Sequence, residues 1–171
     1  MNILNNLILA LLLGPAMVAY SVANTEVTVE IANDTRGTLK MNSLLTDPPQ
    51  ADNFVLDVHD IAPHTTYRFS IEHFRHYTYP GTGWKPTLKK IKPIELVINY
   101  EMKNFNFECQ LHTRLQVPIV PGVLEPSYQP DWKSRTAYTG NGEYRCRSEI
   151  SRKMLEPPFN YAVRLVVEPD R

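Results

Sequence analysis

Residues 105–115 read FNFECQLHTRL, and their alternation decides the fold. Phe105, Phe107, Cys109, Leu111 and Leu115 fall on one face of an extended chain, and Asn106, Glu108, Gln110, His112 and Arg114 on the other. Successive side chains of a strand point to opposite faces, so this is a strand with one side in a core and one in water. The same period of two recurs outward in both directions. Towards the N-terminus it sets Tyr67, Phe69 and Ile71 on one face, Leu39 and Met41 on another, and Val27, Val29 and Ile31 against Glu26, Thr28 and Glu30. Residues 54–58 give a short strand with Phe54, Leu56 and Val58 together, and residues 94–100 another. Towards the C-terminus, residues 136–139 and 143–150 flank Gly140-Asn141-Gly142, which reads as a β-hairpin. Tyr161, Val163, Leu165 and Val167 line a last strand.

Turn chemistry separates these runs. Asn33-Asp34-Thr35-Arg36-Gly37, Asp47-Pro48-Pro49 and Glu156-Pro157-Pro158 interrupt the alternation. Residues 117–133 hold Pro118, Pro121, Pro126 and Pro130 and read as a long loop, since proline cannot donate to a central ladder. No stretch shows the period of an amphipathic helix. The expectation is an all-β protein: an antiparallel β-sandwich of about eight or nine strands.

Residues 1–23 have no charged side chain, an apolar run at residues 7–13 broken by Gly14-Pro15, and small residues at Ser21 and Ala23. That is the pattern of a secretory signal peptide cut before Asn24, which leaves residues 24–171 as one domain. The apolar run is short for a membrane span. The protein is therefore expected to be secreted or periplasmic. Its two cysteines, Cys109 and Cys146, both lie on apolar strand faces. In an exported chain such a pair reads as a disulfide inside the core.

The chain carries 18 basic and 18 acidic residues, so no global field favours nucleic acid, and none is expected as a partner. No nucleophile elbow, zinc-helix motif or phosphate loop is present, and no cofactor or metal is expected. His73 and His76 point to opposite faces of a strand, while Asp57, His59 and His64 read as solvated surface. Paired carboxylates for glycoside cleavage are the enzymatic alternative, with Glu72, Glu95, Glu101 and Glu108 as candidates. Asn33-Asp34-Thr35 matches a glycosylation sequon.

The stretch 67–85, YRFSIEHFRHYTYPGTGWK, concentrates aromatic and basic residues. Its first half reads as core. His73, Arg75, Tyr77 and Tyr79 continue that face as surface, followed by the loop Gly83-Trp84-Lys85-Pro86. A second tryptophan repeats the context in Pro130-Asp131-Trp132-Lys133, with Tyr128 nearby. Aromatic rings beside lysines suit contact with proteins, sugars or lipid headgroups. The candidate binding residues are Tyr77, Tyr79, Trp84, Lys85, Tyr128, Trp132 and Lys133. The alternative is that each tryptophan folds back to cap an end of the sandwich. Lys85, Lys89, Lys90 and Lys92 read as a solvated edge. The expected function is that of a non-catalytic binding protein contacting a protein, glycan or membrane surface.

The run from Val27 to Thr35 (VTVEIANDT), Leu39, the Ile61-Ala62-Pro63 loop before the strand at 66–70, and the strands at 94–100 and 161–167 together resemble secreted aegerolysin-like β-sandwich proteins. The resemblance spans about half of residues 24–171. It implies the sandwich fold and a small membrane-binding, toxin-like protein, some relatives acting with partners in pores. No functional residue carries over through it.

Overall fold

The computed structural model describes residues 22–49, 56–76, 91–120, 127–140 and 142–170. In the first half of the chain β1 is Val22–Asn33, β2 Lys40–Asp47, β3 Thr65–His76, β4 Ile94–Met102 and β5 Phe107–Gln116. In the second half β6 is Ile119–Val120, β7 Ser127–Tyr128, β8 Asp131–Thr139, β9 Tyr144–Lys153 and β10 Tyr161–Pro169. The leader expected over residues 1–23 falls outside the described residues except for Val22 and Ala23.

Two four-stranded sheets, ordered β3-β1-β10-β9 and β2-β4-β5-β8, pack as a β-sandwich. β6 and β7 form a small separate ladder. All pairings are antiparallel except β1 with β10, which runs parallel from Val27 opposite Tyr161 to Asn33 opposite Val167. The alternation seen in sequence is the alternation of burial. Along β4 every second residue from Ile94 to Met102 is buried, and along β5 Phe107, Cys109, Leu111, Thr113 and Leu115 are buried. Val27, Val29 and Ile31 of β1 and Tyr161, Val163, Leu165 and Val167 of β10 complete the core from the other sheet. Cys109 and Cys146 are bonded, with Cα atoms 6.3 Å apart, and join β5 of one sheet to β9 of the other.

The turn after β1 is locked by one side chain. Asn33 Nδ2 donates among the carbonyls of Gly37, Ile61 and Ala62 at 2.8, 3.0 and 3.1 Å. Its Oδ1 accepts from Thr35 N at 3.1 Å and Thr35 Oγ1 at 2.6 Å. Both sequon residues, Asn33 and Thr35, are fully buried, so the sequon is a structural device.

The structure corrects four expectations. Leu56–His59 is a single 3-10 turn instead of part of a strand; Val58 is exposed, while His59 is buried against Tyr67 and Phe69. Here the edge of β2 is met by a lone Leu39–Ile61 bridge and by Asp60 Oδ1, which accepts from Met41 N at 3.3 Å, so no room is left for a ladder. The hairpin read at residues 140–142 is not one within a single sheet: β8 and β9 belong to different sheets and meet at a corner of the sandwich, and Asn141 lies outside the described residues. Thr136 Oγ1 still reaches Cys146 O across that corner at 3.1 Å. His73, expected at the surface, is buried opposite Thr25, because β3 stays paired with β1 as far as His76 and residues 158–160 bond to the same end of β1. Trp132 lies in β8, not in a loop.

Candidate functional site

The sequence-derived site is only partly within the described residues. Tyr77, Tyr79, Trp84 and Lys85 lie outside them. Tyr128 is half-buried, its ring edge-on to Phe159 with centroids 5.6 Å apart. Trp132 is 8% exposed and belongs to the core, because β8 pairs with β5 in a register that sets Trp132 opposite Leu115. Its neighbour Lys133 points the other way and pairs with Asp131 at 3.3 Å. The Trp132-Lys133 echo therefore presents no joint surface: alternation separates the two side chains. The cation that does sit over the Trp132 ring is Lys153 of β9, its Nζ 5.7 Å from the centroid. Trp132 Nε1 has no hydrogen-bond partner among the described residues.

A different surface is assembled on the outer face of the β2-β4-β5-β8 sheet. The registers set its residues in four rows running across the strands. The first row is Asp47, Glu95, Arg114 and Lys133; the second is Leu45, Val97, His112 and Arg135. The third is Ser43, Asn99, Gln110 and Ala137; the fourth is Lys40, Glu101, Glu108 and Thr139.

The third row is a hydrogen-bonded chain. Gln110 Nε2 donates to Asn99 Oδ1 at 2.9 Å, and Asn99 Nδ2 donates to Ser43 Oγ at 2.6 Å. A depression of about 390 Å³ opens over this row and the next, lined by Asn42, Asn99, Glu108, Gln110, Tyr138 and Thr139 among others. Tyr138 is 47% exposed. Asn42 falls where the register of β2 against β4 shifts between Met41 and Ser43, and such a bulge re-aims side chains at a sheet edge.

The flanking rows differ in charge. Glu101 and Glu108 lie directly opposite one another, with Lys103 Nζ 3.4 Å from Glu101. On the other side of the amide row, Arg135 Nε donates to His112 Nδ1 at 2.9 Å, and His112 Nε2 lies 3.5 Å from Glu95 Oε2. Arg114 Nε is 3.3 Å from Glu95 Oε1. Of the carboxylates singled out in the sequence, Glu101 and Glu108 are thus brought together and Glu95 lies on the same face. Glu72 is on the other sheet, accepting from Asn24 Nδ2 at 3.0 Å. The other sheet's outer face is a ladder of ion pairs, with Arg68 and Arg164 both on Glu30 and Arg145 and Arg147 both on Glu168.

Sequence reasoning missed the amide row. Gln110 and His112 were visible as the water side of 105–115, but Ser43, Asn99 and Ala137 become their neighbours only through pairings across three other strands.

A disulfide is compatible with an extracellular or periplasmic setting, and among the described residues no helix is long and apolar enough to cross a membrane.

No family model matches the chain, and no curated protein resembles it significantly. Among solved structures it is similar to the crystal structure of IP-1A from Alcaligenes faecalis, with a TM-score of 0.47 and 9% identity over 88% of this chain and 94% of that one. A likeness this distant carries no argument about function.

Proposed function

We propose that the protein is an exported, non-catalytic binding module that holds a saccharide on the outer face of the β2-β4-β5-β8 sheet. The observation that carries this reading is the Gln110–Asn99–Ser43 chain at the depression. Sugar hydroxyls both donate and accept, and amides do the same. Two amides already bonded to each other have fixed rotamers, so little side-chain freedom is lost when a ligand docks. Gln110 Oε1 and the Ser43 hydroxyl proton remain for a ligand.

Glu101 and Glu108 stand directly opposite one another on β4 and β5, and Lys103 holds Glu101. Export is supported by the leader pattern of residues 1–23 together with the disulfide.

The test is retention on immobilised oligosaccharides. The wild type is expected to be retained, and Asn99→Ala with Gln110→Ala to lose retention while keeping the wild-type melting profile. A double variant that binds as well as wild type would overturn the reading. Co-sedimentation with lipid vesicles and no retention on any saccharide would replace it with the membrane-interacting reading that the aegerolysin-like pattern implies.

A further inference from the structure

We infer that the saccharide held on this face carries an isolated anionic group, and that Arg135 is the residue that reads it. The inference rests on the binding face proposed above and specifies its ligand. Arg135 is exposed on β8, two residues from Ala137, which lines the depression. Two residues of strand span roughly 6.6 Å, so the base of this side chain stands beside the amide row.

Arg114 in the next strand, and Arg68, Arg145, Arg147 and Arg164 on the other sheet, each lie against a carboxylate. Among the described residues Arg36 in the turn after β1, Arg152 in β9 and Arg135 lie against none, and of these three only Arg135 stands on this face. Its recorded bond is from Nε to a neutral acceptor, His112 Nδ1. Because Nδ1 accepts, the imidazole proton is on Nε2, the nitrogen facing Glu95. The imidazole therefore orients Arg135 without neutralising it. With Nε committed to His112, the edge formed by the two terminal nitrogens is left, and that edge matches a carboxylate or sulfate in two parallel hydrogen bonds. His112 is a positioning residue in this arrangement, its Nε2 3.5 Å from Glu95 Oε2.

The opposite end of the depression sets the spacing. Glu108 lines it, and Glu101 lies directly across from Glu108. From His112, opposite Arg135, to Glu108 is four residues of β5, roughly 13 Å. Lys103 lies against Glu101, but among the described residues no cation pairs with Glu108, so a saccharide charged at every ring would carry an anion over Glu108 and be repelled there. One charged group at the Arg135 end, with neutral rings over Gln110 and Glu108, satisfies both ends.

The experiment uses a printed array of neutral, singly anionic (one uronate or one sulfate) and polyanionic oligosaccharides, probed with wild type, Arg135→Gln, Arg135→Lys and Arg164→Gln. Singly anionic saccharides are expected to rank highest. Arg135→Gln should weaken them about tenfold or more, the scale of a charge-assisted hydrogen-bond pair, and leave neutral saccharides unchanged. Arg135→Lys should restore only part, because it keeps the charge and loses the fork. Arg164→Gln, on the other sheet, should behave as wild type. The uronate and sulfate arms separate the two sources of the anion. Equal retention of neutral and singly anionic saccharides, or polyanions ranking first, would overturn this inference and leave the binding face standing. No retention of any class would overturn both.

Discussion

Thr113 on β5 and Tyr161 on β10 meet hydroxyl to hydroxyl across the core, Thr113 Oγ1 donating to Tyr161 Oη at 3.3 Å. Both residues are fully buried and belong to different sheets. Thr113→Val leaves the Tyr161 hydroxyl without this partner in a dry interior and is expected to lower stability by about 1–3 kcal/mol. Thr113→Val with Tyr161→Phe removes both polar groups and should cost clearly less than the sum of the single changes. Urea titrations of the four proteins measure the coupling; strict additivity would show that the contact is unimportant.

The same tyrosine makes the fold sensitive to alkali. Burial pushes the Tyr161 hydroxyl from its ordinary 10.0 up to about 12, with the Thr113 bond acting the other way. The native state therefore holds this proton after the unfolded chain has released it. Stability from this group is complete below about pH 10 and is lost as the pH rises towards about 12. Tyr100 is raised too, by burial first and by Tyr67 and Asp60 second, and adds to the loss. Tyr161→Phe should flatten the fall in unfolding free energy between pH 10 and 12, which chemical denaturation at stepped pH measures.

His59 acts at the acid end. Burial lowers its pKa below the ordinary 6.5, so the unfolded chain binds its proton more readily than the native state. The associated stability is present above pH 6.5 and is lost as the pH falls below it. His59→Phe, which keeps a ring against Tyr67 and Phe69, should reduce the slope of stability against pH on that limb. An unchanged slope would assign the acid sensitivity elsewhere.

Cys109–Cys146 closes a loop with a sequence separation of 37. Reduction is expected to lower stability by about 3–4 kcal/mol, the loop-closure entropy returned to the unfolded chain. Intact mass under native conditions, with and without reductant and alkylation, should show both thiols only after reduction, and the melting temperature should fall with them.

Trp132→Ala should destabilise by about 3–5 kcal/mol, as expected for a large ring removed from a core. Trp132→Phe should retain most of that stability. A loss of ligand binding in Trp132→Ala would therefore report unfolding, and only Trp132→Phe bears on contact. Thermal melts read beside binding assays separate the two effects.

Gly37→Ala tests the turn that Asn33 organises. A Cβ at Gly37 would stand 2.7 Å from Phe105 Cε2 and 2.9 Å from Met102 Sδ, and Met102 Sδ already lies 3.2 Å from Thr35 Oγ1. Stability should fall by about 1–3 kcal/mol, the range for overpacking. Chain folded after passage through a eukaryotic secretory route should carry no glycan mass at Asn33, whose amide is already bonded inside the protein.

Most strands were legible because burial on one face imposes a period that a single sequence displays. Val27-Val29-Ile31, Phe107-Cys109-Leu111 and Tyr161-Val163-Leu165 needed no partner to be recognised. Which strand lies beside which was not legible. Gly140-Asn141-Gly142 favours a tight reversal, but reversal does not say whether the two arms share a sheet; here the Cys109–Cys146 bond and the β5–β8 and β9–β10 ladders place them apart. Trp132 was misread because Pro118, Pro121, Pro126 and Pro130 mark an irregular stretch without marking its last residue. β8 starts one residue after Pro130, and pairing with β5 overrides the loop composition. The amide row was invisible for a further reason: each amide in it is an unremarkable outer-face residue in its own strand.

The parallel pairing of β1 with β10 has a consequence for synthesis. β1 lies in the middle of its sheet, yet the bond from Glu26 N to Asn160 Oδ1, at the start of that seam, joins residues 134 apart in sequence. Until β10 has been made, β1 and β3 can pair only as a two-stranded ribbon with both edges bare, and β9 has no neighbour in its own sheet. Such a ribbon is at best marginal in water, and a pairing so far apart in sequence forms slowly. The nascent chain thus stays loose until late in its synthesis and acquires its sandwich only once its distant ends have met.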